Sequence, residues 1–175
     1  MCVGHPKGAE HVAWREAPEW EVDPEFANKV KHLVAGNDTC MFATVLCGVV
    51  DVASGELVLA SAGHEPPVLL RADGEAAFLP VETGPALGFD AVAAFPCWRG
   101  RLAPGDTLLA YTDGITEAFD AGNVAFGSER LLAALDPGDD AGALCARLVA
   151  AVHRFAAGAP QSDDITVLAL RRDGG

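Results

Sequence analysis

Two short strings hold the residues best able to do chemistry: Tyr111-Thr112-Asp113-Gly114-Ile115-Thr116-Glu117 and Gln161-Ser162-Asp163-Asp164-Ile165-Thr166. Each adjoins an apolar run that reads as a central strand, the first after residues 107–111 and the second before residues 165–170. If the two strands are antiparallel neighbours, the exit of one lies beside the entry of the other. Asp113 and Asp163 then face each other at one edge of the core. Converging carboxylates repel one another and lose hydration, and a hard divalent cation such as magnesium or manganese relieves both costs. Two such ions can activate a water and clamp a phosphoryl group for in-line attack, with no covalent nucleophile from the protein. The bland alternative is structural, because Asp-Gly is a common turn after a strand and Asp-Asp a common cap before one.

Other tempting residues carry less. His64, in Ala62-Gly63-His64-Glu65-Pro66-Pro67, reads as a turn histidine bonded to backbone rather than a ligand or proton shuttle. His5, His11, His32 and His153 show no metal-binding spacing. Ser61, Ser128 and Ser162 lack a nucleophile-elbow context. Gly4 and Gly8 do not make a phosphate loop. Trp14, Trp20 and Trp98 read as packing residues, and Glu117 as a neighbour of Asp113 or a solvated side chain.

The elements that must position the two strings follow from periodicity. A short helix is expected from Pro24, with Phe26, Val30, Leu33 and Val34 at helical spacing and a stop at Gly36-Asn37-Asp38. Met41–Val52 reads as a buried strand that turns at Ser54-Gly55 into a second strand over Glu56–Ser61. Val68–Leu70 and Ala76–Leu79 make another hairpin, 81–90 a loop, Ala94–Leu102 a strand, and Thr107–Thr112 the strand entering Asp113-Gly114. Two helices follow, Ser128–Leu135 with Ser128 as its cap, and Asp140–Ala157 with Leu144, Leu148, Val152 and Phe155 on one face. Strands in runs with a late helical pair describe an α+β domain with mainly antiparallel sheets.

The bulk properties bound the rest. At 175 residues the chain is one domain's worth, and 50% hydrophobic content supports a real core. A net charge of −13 argues against nucleic acid or anionic membrane as partner and favours bound cations. The five cysteines are odd in number and form no CxxC pair, so neither a disulfide framework nor a zinc site is expected. Cys47 and Cys145 read as small buried hydrophobes, and a cytoplasmic location is the simplest. No signal peptide and no membrane-spanning run are visible.

An ordered series of motifs resembles the SpoIIE-like branch of the PPM-type protein phosphatases. It comprises Met41-Phe42-Ala43-Thr44, Gly48-Val49-Val50-Asp51, Gly55-Glu56-Leu57, Ala62 to Pro67, Gly105-Asp106-Thr107-Leu108-Leu109, Tyr111 to Ala118, Phe126-Gly127 and Gln161 to Thr166. The resemblance spans residues 26–172, with 1–25 matching poorly and 173–175 a tail. It implies an α-β-β-α sandwich with a binuclear Mn²⁺ or Mg²⁺ site at one end. It also implies removal of phosphate from serine or threonine of a regulatory protein, typically an anti-sigma-factor antagonist. Asp113 then corresponds to the metal ligand of the TDG motif, Asp163 to that of the DD motif, and Asp164 is its neighbour or replacement. Gly114 lets the backbone approach the site. Complete members carry two further acidic motifs upstream. One is absent here, and the other survives only as a trace at Val3-Gly4-His5, with Met1 where an aspartate belongs. The domain is therefore expected to lack its first strands, to hold one metal or none, and to pair its open strand edges with a partner or as a homodimer. A pseudophosphatase that binds a regulator without turnover is the alternative.

Overall fold

The computed structural model describes residues 42–88 and 94–173. The helix expected between Pro24 and Gly36, the motif trace at 3–5, and Trp14 and Trp20 lie outside the described residues.

Two sheets lie face to face. The first is built on β2 (Glu56–Ala62), which pairs along one side with β1 (Val45–Val50). Its other side pairs antiparallel with β6 (Cys97–Arg101) and, further along, parallel with the two-residue β5 (Thr83–Gly84). The second sheet has the order β4 (Ala76–Phe78), β3 (Val68–Leu70), β7 (Thr107–Tyr111), β8 (Val167–Arg171), antiparallel throughout. Alternation along each strand sends side chains to opposite faces. Leu57 and Leu59 of the first sheet meet Leu69 and Leu108 of the second, with Leu79 and Leu102, in the core between sheets. Val68, Leu70, Leu109 and Tyr111 point the other way, onto two helices, α1 (Gly127–Ala133) and α2 (Ala141–Ala156). The described layers are sheet, sheet and helix.

Helix α2 follows its sequence pattern. Leu144, Leu148 and Val152 are buried one turn apart, and Arg147 and Arg154 stay exposed. Asp140 caps its start by accepting from the Ala143 N–H at 2.8 Å. It stops where Ala157 and Gly158 both turn to positive φ.

Four expectations need correction. The Met41–Val52 run is not a buried strand: its strand part, Val45–Val50, lies on a sheet edge and leaves Val49 43% exposed. An unbroken apolar run suggests burial on both faces, but β1 has a strand neighbour only on its β2 side among the described residues. Cys47 on this edge strand and Cys145 in α2 are half-buried rather than buried. The stretch 81–90 is not all loop, since Thr83 and Gly84 pair with Ser61 and Ala62. Ser128 does not cap α1, which starts at Gly127 after Phe126 with no side-chain cap. The Gly127 N–H is instead taken by the Thr116 carbonyl, and Arg130 covers the carbonyls of Ala125 and Phe126.

The end of the molecule away from the aspartate strings is fastened by charge. Asp106 is 2% exposed and accepts from the Arg71 guanidinium at 2.7 Å and from the N–H groups of Ala103 and Ala72. Arg172, just past β8, donates to the carbonyls of Leu102 and Ala53, tying the second sheet to the first.

Candidate functional site

Strands β7 and β8 are antiparallel neighbours, with Tyr111 opposite Val167. The loop after β7 and the loop before β8 therefore meet at one end of the second sheet, the arrangement that the sequence needed for Asp113 and Asp163. The start of β3 lies at the same end, because it runs antiparallel to β7 with Val68 opposite Leu109. The Ala62–Pro67 turn is thus carried to the same edge.

The pairing continues one step beyond the strands in an altered form. The Thr112 N–H donates to the Thr166 carbonyl at 3.0 Å. A regular ladder would return a bond from the Thr166 N–H to the Thr112 carbonyl. Instead the Thr166 N–H donates to Thr112 Oγ1 at 2.9 Å, and the Thr112 carbonyl accepts from Ile115. The hydroxyl stands in for the carbonyl, so the main chain is free to turn at Asp113. The same Oγ1 donates to the Asp164 carbonyl at 2.8 Å.

The turn itself is short and closed. The Asp113 carbonyl accepts from the Glu117 N–H at 2.7 Å and from the Thr116 hydroxyl at 3.2 Å. Gly114 is buried, and a Cβ there would lie 2.5 Å from the Asp164 carbonyl oxygen and 3.1 Å from that of Asp163. Only glycine lets the two loops come this close. In the other loop, Asp163 accepts from the Asp164 N–H at 2.6 Å, and Gln161 donates to the Asp163 carbonyl at 2.8 Å.

Asp113, Asp163 and Asp164 are all exposed. Their main chains are brought together, but no group of three or more histidine, cysteine or acidic side chains converges as a metal cage among the described residues. The donor set suits a hard cation held by one or two carboxylates and completed by water or phosphate oxygens. It does not by itself supply the ligands of a binuclear centre. An open cavity of about 200 Å³ lies behind Gly114, lined by Val152, Ala156, Pro160 and Ile165 beside Gln161 and Ser162.

Two residues at this edge carried no signal as chemistry in the sequence. Tyr111 is 3% exposed, and its hydroxyl donates to the Glu65 carboxylate. Burial, and then the Glu65 charge, push the phenol well above its usual range and keep it protonated. Thr112 is the other. A threonine at a strand end reads as an ordinary β-former, and its bonding is visible only once β8 is beside it. His64 behaves as a turn residue: its Nδ1 lies 3.1 Å from the Glu65 carbonyl, and its own carbonyl accepts from Ser61. Glu117 is exposed. Trp98 packs on the inter-sheet core.

Comparison with known proteins agrees with this architecture. The family described as Stage II sporulation protein E (SpoIIE) matches residues 11–173. Protein IcfG of Synechocystis is 34% identical over 137 residues, covering 78% of this chain and 22% of IcfG. The SiaA-PP2C domain of Pseudomonas aeruginosa superposes with a TM-score of 0.71 at 22% identity, over 84% of this chain and 58% of that one. The RsbU and RsbW domains of Rv1364c from Mycobacterium tuberculosis give a TM-score of 0.63 at 27% identity, over 88% of this chain and 42% of that one. The chain thus spans about a fifth of the curated relative and roughly half of these two structures.

Proposed function

The chain belongs to the SpoIIE family of PPM-type serine/threonine phosphatases, and from that premise we propose that it hydrolyses phosphoserine or phosphothreonine in a bacterial regulatory protein of the anti-sigma-factor-antagonist type. The observation that carries this reading is the meeting of the Asp113 and Asp163 loops at one end of the β7–β8 pair. Asp113 and Asp163 would hold a Mn²⁺ or Mg²⁺ ion, with Asp164 as an alternative or additional ligand. Gly114 allows the two loops their close approach. A divalent cation at such a site supplies charge neutralisation for the phosphoryl group and a water of lowered pKa. The exposure of all three carboxylates leaves room for a phosphorylated protein segment to approach the edge. The cytoplasm suits such a substrate, and no helix among the described residues is long and apolar enough to cross a membrane.

The test is phosphate release from a phosphoserine peptide, with and without Mn²⁺, by this chain and its Asp113→Asn variant. We expect Mn²⁺-dependent release that the variant loses while its thermal melting stays unchanged. A variant as active as the parent would remove Asp113 from the site.

A second reading, a regulator-binding module without turnover, is favoured by one observation: no cluster of three or more acidic, histidine or cysteine ligands forms among the described residues. Absence of Mn²⁺-dependent release by the parent, together with retained binding of a phosphorylated regulator, would select it.

A further inference from the structure

Each acidic loop is closed by bonds of its own, and one side chain joins the two. The Thr112 hydroxyl is used in both directions, accepting from the Thr166 N–H and donating to the Asp164 carbonyl. The Thr112 N–H adds a third bond, to the Thr166 carbonyl. Gly114 lies against the same Asp164 carbonyl that the hydroxyl holds. Thr112 precedes Asp113 directly, and its acceptor is the main chain of Asp164. Rotation of this one side chain would therefore break both hydroxyl bonds and leave the Thr112 N–H bond to Thr166 as the remaining hydrogen bond between the Asp113 turn and the segment that carries Asp163 and Asp164.

We propose that Thr112 is a positioning residue whose hydroxyl couples the two acidic loops into one unit and so sets the separation of Asp113 and Asp163. Its consequence for a cation rests on the phosphatase reading above; the coupling itself does not. A carboxylate pair held at one spacing loses little freedom when it binds an ion, whereas two independent loops must be ordered first.

The test uses the whole 175-residue chain and two variants. Thr112→Val keeps the branched shape and loses both hydroxyl bonds, and Thr112→Ser keeps the hydroxyl. In Thr112→Val, the amides of Thr166 and Ile115 should exchange with solvent together, roughly tenfold faster, as for the loss of one ordinary hydrogen bond. Mn²⁺ binding, followed by the ion's electron paramagnetic resonance signal, should weaken by roughly tenfold, the usual cost of removing a group that orients a ligand. Thr112→Ser should restore both. Parent-like exchange in Thr112→Val, faster exchange in one loop only, or a serine variant as impaired as the valine one would overturn the coupling. Faster exchange with undiminished Mn²⁺ affinity would overturn the positioning role. A parent that binds no Mn²⁺ would sink the metal reading instead, and amide exchange would still decide the coupling. Should Thr112→Val fail to fold, the parent supplies a second measurement. The Thr166 N–H, bonded to the Thr112 hydroxyl, should exchange as slowly as the amides of β8, and a Thr166 amide that exchanges like an unstructured one would overturn the proposal.

Discussion

Gly114 faces the Asp164 carbonyl so closely that a single methyl group becomes a wedge. Gly114→Ala should part the two loops by a few tenths of an ångström or more, with a stability loss of about 1–3 kcal/mol from overpacking. Mn²⁺ affinity should fall by a larger factor than global unfolding accounts for. Calorimetric titration beside a urea melt separates the two, and unchanged affinity would show that loop spacing does not govern the site. At this scale the sequence was legible in where it places the carboxylates, at the meeting of the β7 and β8 loops. Asp113, Asp163 and Asp164 stand out as carboxylates at strand ends, and Gly114 as a point of close approach. Thr112, Tyr111 and Glu65 did not stand out as site residues. Their bonds cross between segments 46 to 54 residues apart, and no local spacing encodes a hydroxyl replacing a carbonyl.

Among the elements, α2 is the one whose periodicity translated most directly into packing. Leu148, fully buried against the second sheet, should cost about 2–5 kcal/mol of stability as Leu148→Ala, through lost burial and the cavity left behind. Asp140→Ala removes the cap and should cost about 1 kcal/mol. Chemical denaturation of both variants checks the ranking, and equal losses would mean that the helix does not anchor the sheet. Hairpins were also legible, because turn residues sit at Ser54-Gly55 and Asp73-Gly74, and Gly55 and Gly74 do take positive φ. Lateral position was not. The run before Val52 has the composition of a central strand but occupies an edge, and the two residues of β5 are too few to carry any period.

For the molecule as a whole, Asp106 sets an acid limit. Burial pushes its carboxyl up, but the Ala103 N–H, the Arg71 guanidinium and the Ala72 N–H outweigh burial and hold it below the usual range. Its folded value is therefore below its unfolded one. Its contribution is complete above the ordinary carboxyl range, near about pH 4, and is lost as pH falls through the folded value. Asp106→Asn should lower stability at pH 7 by about 2–4 kcal/mol, since it leaves Arg71 unpaired and one N–H without its charged acceptor. The gap to the parent should narrow below about pH 4. Urea melts at pH 7 and pH 3 measure both, and a gap independent of pH would assign the loss to packing rather than charge. The net charge of −13 adds a general attraction for cations at neutral pH that salt should screen.

Strand β8 joins the two ends of this molecule. Asp163 and Asp164 precede it, and Arg172, which reaches across to Leu102 and Ala53, follows it. It is also the last of the described elements to leave the ribosome. A nascent chain halted at α2 has the Asp113 turn but neither its opposing loop nor the arginine that fastens the sheets. During synthesis, maturation of the acidic edge and closure of the far end therefore arrive together, with the same few residues.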